Sequence, residues 1–163
     1  MKYYYEGYEI LAPLTISSNE PMFDSDTVSL RKQRSSQNAQ RWELSFDILT
    51  TSPADALISI TGFDTVKTMT MPQLTDVGSR LGSVNYPKGA FVTGSNNKVY
   101  MIKADAASVV DSNLYPTPPS GLTYSTVSNA TIRYYREVTN LRGITFNDGI
   151  LASPGTIDII EAL

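Results

Sequence analysis

The 163-residue chain contains no cysteine and no histidine. The first absence excludes disulfides, iron–sulfur clusters and thiolate zinc sites. The second removes the usual general base near neutral pH and the commonest metal ligand. Charge is scarce too: 18% of residues are charged, and 13 basic against 16 acidic side chains leave a net −3. A sequence-independent nucleic-acid binder needs a positive surface, so this balance speaks against that role. No run approaches the roughly 20 apolar residues that span a bilayer, and no signal-peptide core follows Met1–Glu6. A soluble protein made in the cytoplasm is expected, with no membrane partner. There is no Gly-x-Ser-x-Gly elbow, phosphate-binding loop, dinucleotide fingerprint or Ser-x-x-Lys motif. No catalysis, cofactor, metal or small-molecule substrate is therefore expected.

What is present is β pattern. Trp42, Leu44, Phe46 and Ile48 fall on one side of an extended chain, with Arg41, Glu43, Ser45 and Asp47 on the other. That period of two marks a strand with one face on a core and one in water. Val28 and Leu30 begin a similar alternation upstream. Between the two runs lies Arg31–Gln40, polar apart from Ala39, with Arg31, Lys32 and Arg34 and no acidic residue. The pattern predicts a long hairpin with a basic tip and Trp42, the only tryptophan, as its core anchor. A buried Trp removes roughly 150–250 Å² from water.

The same residues carry a resemblance. Leu30 and Arg31, then Gln40-Arg41-Trp42-Glu43-Leu44-Ser45-Phe46, resemble a strand of structural proteins in tailed-bacteriophage tails and baseplates, where a glycine stands in place of Ala39 and a short helix follows. Gly89-Ala90-Phe91-Val92 and Asn97-Lys98-Val99-Tyr100-Met101-Ile102 look like the hairpin of such proteins, and Leu114–Pro119 is similar to their Pro-rich segment. The resemblance implies a virion location, assembly as the activity, and copies of itself and other virion proteins as partners.

Taken in order, residues 2–16 are aromatic and β-branched, broken by Gly7 and Pro13. They predict one or two short strands near an edge; the alternative is an arm in which Tyr3, Tyr4, Tyr5 and Tyr8 reach a neighbour. Ser17–Asp26 reads as a loop, and its Asp24 and Asp26 lack the further acidic ligands a cation needs. Ser52, Pro53 and Asp55 signal a helix start, with Gly62 as its stop; a strand over 56–60 is the alternative. Thr65–Leu74 reads as a strand ended by Pro72, with Met69 and Met71 as core fillers.

Tyr86–Gly89 suits a type I turn. Ala90–Thr93 and Lys98–Lys103 predict a hairpin, and Ala104–Gly121, with three prolines, an extended surface loop. Thr131–Val138 reads as a strand, and Asn147-Asp148-Gly149 as a hairpin turn between two more. Many short strands between turn signals predict one mainly β domain over residues 1–163, a small sandwich or barrel with at most one short helix.

Such a domain, with ten tyrosines and few charges, suits large static protein contacts. Arg31, Lys32, Arg34, Arg41, Tyr3, Tyr4 and Tyr5 are the candidate contact residues. The basic tip reads as a solvated loop, as a docking element for an acidic patch on a neighbour, or as a phosphate or nucleic-acid contact. A head–tail connector or decoration protein is one alternative. A carbohydrate- or receptor-binding β module, using tyrosines as stacking platforms, is the other.

Overall fold

The computed structural model describes residues 3–26, 32–36, 39–48, 65–73, 84–137, 145–147, 151–153 and 156–163. Among them the protein is mainly β, and the only helical element is a 3-10 turn at Asp111–Asn113. The central strand is β5 (Arg41–Ile48). It buries Trp42, Leu44, Phe46 and Ile48 and leaves Asp47 in water. It pairs antiparallel with β2 (Tyr8–Asn19) on one side and β13 (Ile157–Glu161) on the other.

The full sheet runs β1 (Tyr4–Tyr5), β2, β5, β13, β10 (Thr131–Glu137), β6 (Lys67–Thr70). Directly opposite residues share a face, so Ile16, Leu44 and Ile159 line up across three strands. β1 and β2 are joined by Glu6-Gly7, both with positive φ, 50° and 87°. That is the signature of the primed turns whose twist matches a hairpin. Pro13 lies where the pairing register slips between Leu11 and Thr15, a place that tolerates a residue with no N–H.

The sheet does not close into a barrel, but its two edges meet through side chains. The Gln73 backbone N–H donates to the Tyr3 hydroxyl at 2.8 Å, and Glu6 forms an ion pair with Lys67. Tyr5 turns inward there. Its ring lies 5.4 Å from Phe46 and 5.8 Å from Tyr134.

A smaller antiparallel sheet, β7 (Phe91–Thr93), β8 (Val99–Ile102) and β9 (Leu114–Tyr115), packs on the inner face. Phe91 and Val99 join the core of Trp42, Leu44, Ile132 and Ile159. Val92, Tyr100, Ile102 and Leu114 form a second cluster with Val127. Trp42 ties the sheets together: its ring stands edge-on to Phe91 at 5.1 Å, and Nε1 donates to the Val99 carbonyl at 3.0 Å.

The exposed edge of β7 is covered by a side chain acting as a strand. Gln73 Oε1 accepts from Phe91 N–H at 2.8 Å, while its Nε2 donates to the carbonyls of Phe91 and Val127, each at 3.1 Å. A buried N–H left without a partner costs about 1–3 kcal/mol. Gln73→Ala is therefore expected to lower stability by about 2 kcal/mol, read as a lower urea midpoint at unchanged slope. An unmoved midpoint would show that water replaces the amide.

The structure corrects several sequence expectations. Ser17–Asp26 is not a loop: β2 runs on to Asn19, and β3 (Met22–Asp26) pairs with β4 (Lys32–Ser36). The partners of the Trp42 strand are consequently β2 and β13, not the Val28–Leu30 run, which lies outside the described residues. Within Arg31–Gln40, Lys32–Ser36 is strand rather than tip.

The turn at 86–89 is shifted by one residue. The Ala90 N–H donates to the Pro87 carbonyl at 3.1 Å, and Gly89 takes the third position with φ 86°, where only glycine is unstrained. Ala104–Gly121 is not all surface, because Leu114 is buried in β9 against β8. The hairpin of β7 and β8 is present, as is the pairing of β11 (Thr145–Asn147) with β12 (Leu151–Ser153). The expected helix from Ser52 lies outside the described residues.

Candidate functional site

The β3–β4 pair is a ribbon prolonging β2 and β5 beyond the main sheet. Asn19 opposite Arg41 ends one ladder, and Met22 opposite Ser36 begins the next. Among the described residues β3 and β4 pair with each other and with no further strand. Their register sets Asp24 opposite Arg34 and Asp26 opposite Lys32. The acidic residues thus lie along one strand and the basic residues along the other.

Of the candidate contact residues, Lys32 and Arg34 belong to β4, while Arg31 lies outside the described residues. Arg41 is half-buried at the start of β5. Tyr4 is 51% exposed, but Tyr5 is only 1% exposed. Tyr5 belongs to the core and so offers no contact surface, and Tyr3 is occupied in joining the sheet edges. The tyrosine arm is an intramolecular hairpin. Trp42 is buried.

The root of the ribbon is held by a polar network that no local sequence pattern announces. Glu161, on the buried face of β13, is fully buried. One carboxylate oxygen accepts from the Val99 N–H at 2.7 Å. The other accepts from the Trp42 N–H at 3.2 Å and from Lys98 Nζ at 3.0 Å. Both N–H groups belong to strand starts, so one carboxylate satisfies donors of both sheets. Lys98 Nζ also donates to the Gln40 carbonyl at 2.7 Å and to Gln40 Oε1 at 2.8 Å.

From Gln40 the network continues outward. Its Nε2 donates to Ser18 Oγ at 2.9 Å, Ser18 Oγ lies 3.0 Å from the Tyr115 hydroxyl, and that hydroxyl donates to Glu20 at 3.0 Å. Residues on both legs of the ribbon are thereby fixed to the smaller sheet. Burial holds the Lys98 ammonium below its ordinary pKa, and the attraction of Glu161 only partly opposes this.

No group of acidic side chains that could hold a metal occurs among the described residues, and no described helix is long and apolar enough to cross a membrane. No known protein family matches the chain, and no curated protein matches it in sequence.

Proposed function

We propose that this is a structural virion protein of a bacteriophage tail or baseplate, acting by assembly without catalysis. The phage assignment rests on the resemblance of the Gln40–Phe46 strand and the 89–102 hairpin to such proteins. The observation that carries the assembly reading is the β3–β4 ribbon. A ribbon that pairs with no further strand among the described residues is a template for pairing with another chain, whereas the body covers the β7 edge with Gln73.

Charge selects the partner. β3 supplies Asp24 and Asp26, and β4 supplies Lys32 and Arg34. Identical edges meeting across a twofold axis would set like charges together, which is unfavourable. The acidic edge of one copy against the basic edge of the next is the favourable arrangement. Such a head-to-tail contact closes into a ring or continues as a filament.

Sedimentation and electron microscopy of purified protein test this. The all-acidic variant Lys32→Glu/Arg34→Glu and the all-basic variant Asp24→Lys/Asp26→Lys should each fail to self-associate; since each also sets like charges opposite one another within its own ribbon, the mixture is the deciding sample. Mixed in equal amounts they should assemble together, and added salt should weaken both this and the native contact. Assembly of either variant alone would refute the ribbon contact.

A further inference from the structure

The geometry points to a second site, for a neutral saccharide, in a groove of about 480 Å³ at the root of the ribbon. Its lining includes Tyr115, Pro116 and Pro119 together with Asn96 and Glu20, with the buried Tyr100 beneath. A sugar presents C–H faces that pack on rings and a rim of hydroxyl groups that both donate and accept hydrogen bonds. Sites that take small polar ligands combine apolar lining with a few fixed polar groups, and here both kinds of surface are present.

The polar groups are fixed in advance. Asn96 Nδ2 donates to the Tyr100 hydroxyl at 2.9 Å. The Tyr115 hydroxyl occupies one Glu20 oxygen, and the second has no protein donor among the described residues. A carboxylate oxygen open to the groove accepts from a sugar hydroxyl in a charge-assisted bond.

The same bonding excludes an anionic ligand. Lys98 lines the groove, but its three protons are given to Glu161, Gln40 Oε1 and the Gln40 carbonyl. The only other charge in the lining is Glu20, which repels anions. A larger groove of about 640 Å³, beside Tyr86 and Tyr124, has no charged side chain in its lining and so lacks a charge-assisted acceptor. The saccharide site does not depend on the ribbon contact, and its test reads ligand binding rather than assembly.

The full chain is screened on an array of neutral and anionic glycans, and hits are measured by titration calorimetry. Binding of a neutral mono- or oligosaccharide is expected. Glu20→Gln, which keeps an acceptor for Tyr115, should weaken it about tenfold. Thr117→Ala, at an exposed lining position, should weaken it less. Both variants should melt like the native protein. Three outcomes overturn the site: no neutral glycan bound, binding confined to anionic glycans, or neutral-glycan affinity unchanged in both variants.

Discussion

Replacing Glu161 by alanine is expected to cost about 3–5 kcal/mol, a large share of the 5–15 kcal/mol typical of a domain. The change orphans the Val99 and Trp42 N–H groups and leaves the Lys98 ammonium, with 13% of its side chain exposed, facing no carboxylate. Each unpaired buried donor costs about 1–3 kcal/mol. Removing the lysine should be milder, because the buried Glu161 carboxylate, though left without a cation, would keep both backbone donors.

Lys98→Met is therefore expected to cost about 1.5–3 kcal/mol, the range of a lost hydrogen bond to a charged group. Urea denaturation of the two variants decides the matter. Equal losses would mean that the ion pair, not the joining of two strand starts, is what Glu161 contributes. The comparison also bears on function, because Lys98 holds Gln40 and thereby one leg of the ribbon. Lys98→Met should loosen 39–41 in hydrogen exchange while leaving the core protected.

Much of the sheet was legible because half-buried strands announce themselves. Trp42, Leu44, Phe46 and Ile48 alternate with polar residues, and the sequence from Phe91 to Ile102 carries a turn between two apolar runs. The ribbon was illegible for the converse reason. A two-stranded projection has no core to bury against, so Met22–Asp26 and Lys32–Ser36 carry loop-like composition and no apolar alternation.

Pairing between distant segments was also hidden. Period two identifies a strand's buried face without naming its neighbour, so Val28–Leu30 stood in for the true partner, β2. Tyr5 was ambiguous because an aromatic cluster fits an exposed arm as well as a core. The Glu6-Gly7 turn, which folds Tyr5 inward, was the available signal. Glu161 and Lys98 lie 63 residues apart, and neither is distinguished locally. Only the strand register brings them together. The groove inherits the same difficulty, since Glu20, Asn96 and Tyr115 come from three separate segments.

The protein is expected to unfold cooperatively in alkali between about pH 10 and 12. Burial raises the pKa of Tyr5, Tyr100, Tyr124 and Tyr134 above the ordinary value of 10, with Tyr5 pushed up to about 12. Glu6 adds to the rise at Tyr5 and Tyr134, and Arg136 opposes it. Above pH 10 the unfolded chain gives up these protons while the folded chain keeps them. The unfolded state then binds fewer protons, so stability falls as pH rises. The contribution is intact below pH 10 and lost as pH passes through the folded pKa.

A tyrosine that keeps its proton only in the folded state removes about 1.4 kcal/mol per pH unit between its unfolded and its folded pKa. Tyr5 alone therefore costs about 3 kcal/mol by pH 12. Tyr134, equally buried, costs at least as much, while half-buried Tyr124 is discounted for solvent screening. Lys98 acts in the opposite sense, since its depressed folded pKa makes stability rise with pH up to its unfolded value of 10.5. One lysine does not offset several tyrosines. The four raised ones should appear in the phenolate absorbance only in one steep step, at the pH where circular dichroism is lost. A gradual titration of these four with unchanged dichroism to pH 12 would mean that their hydroxyls reach water and that the tyrosine core of the sheet is open.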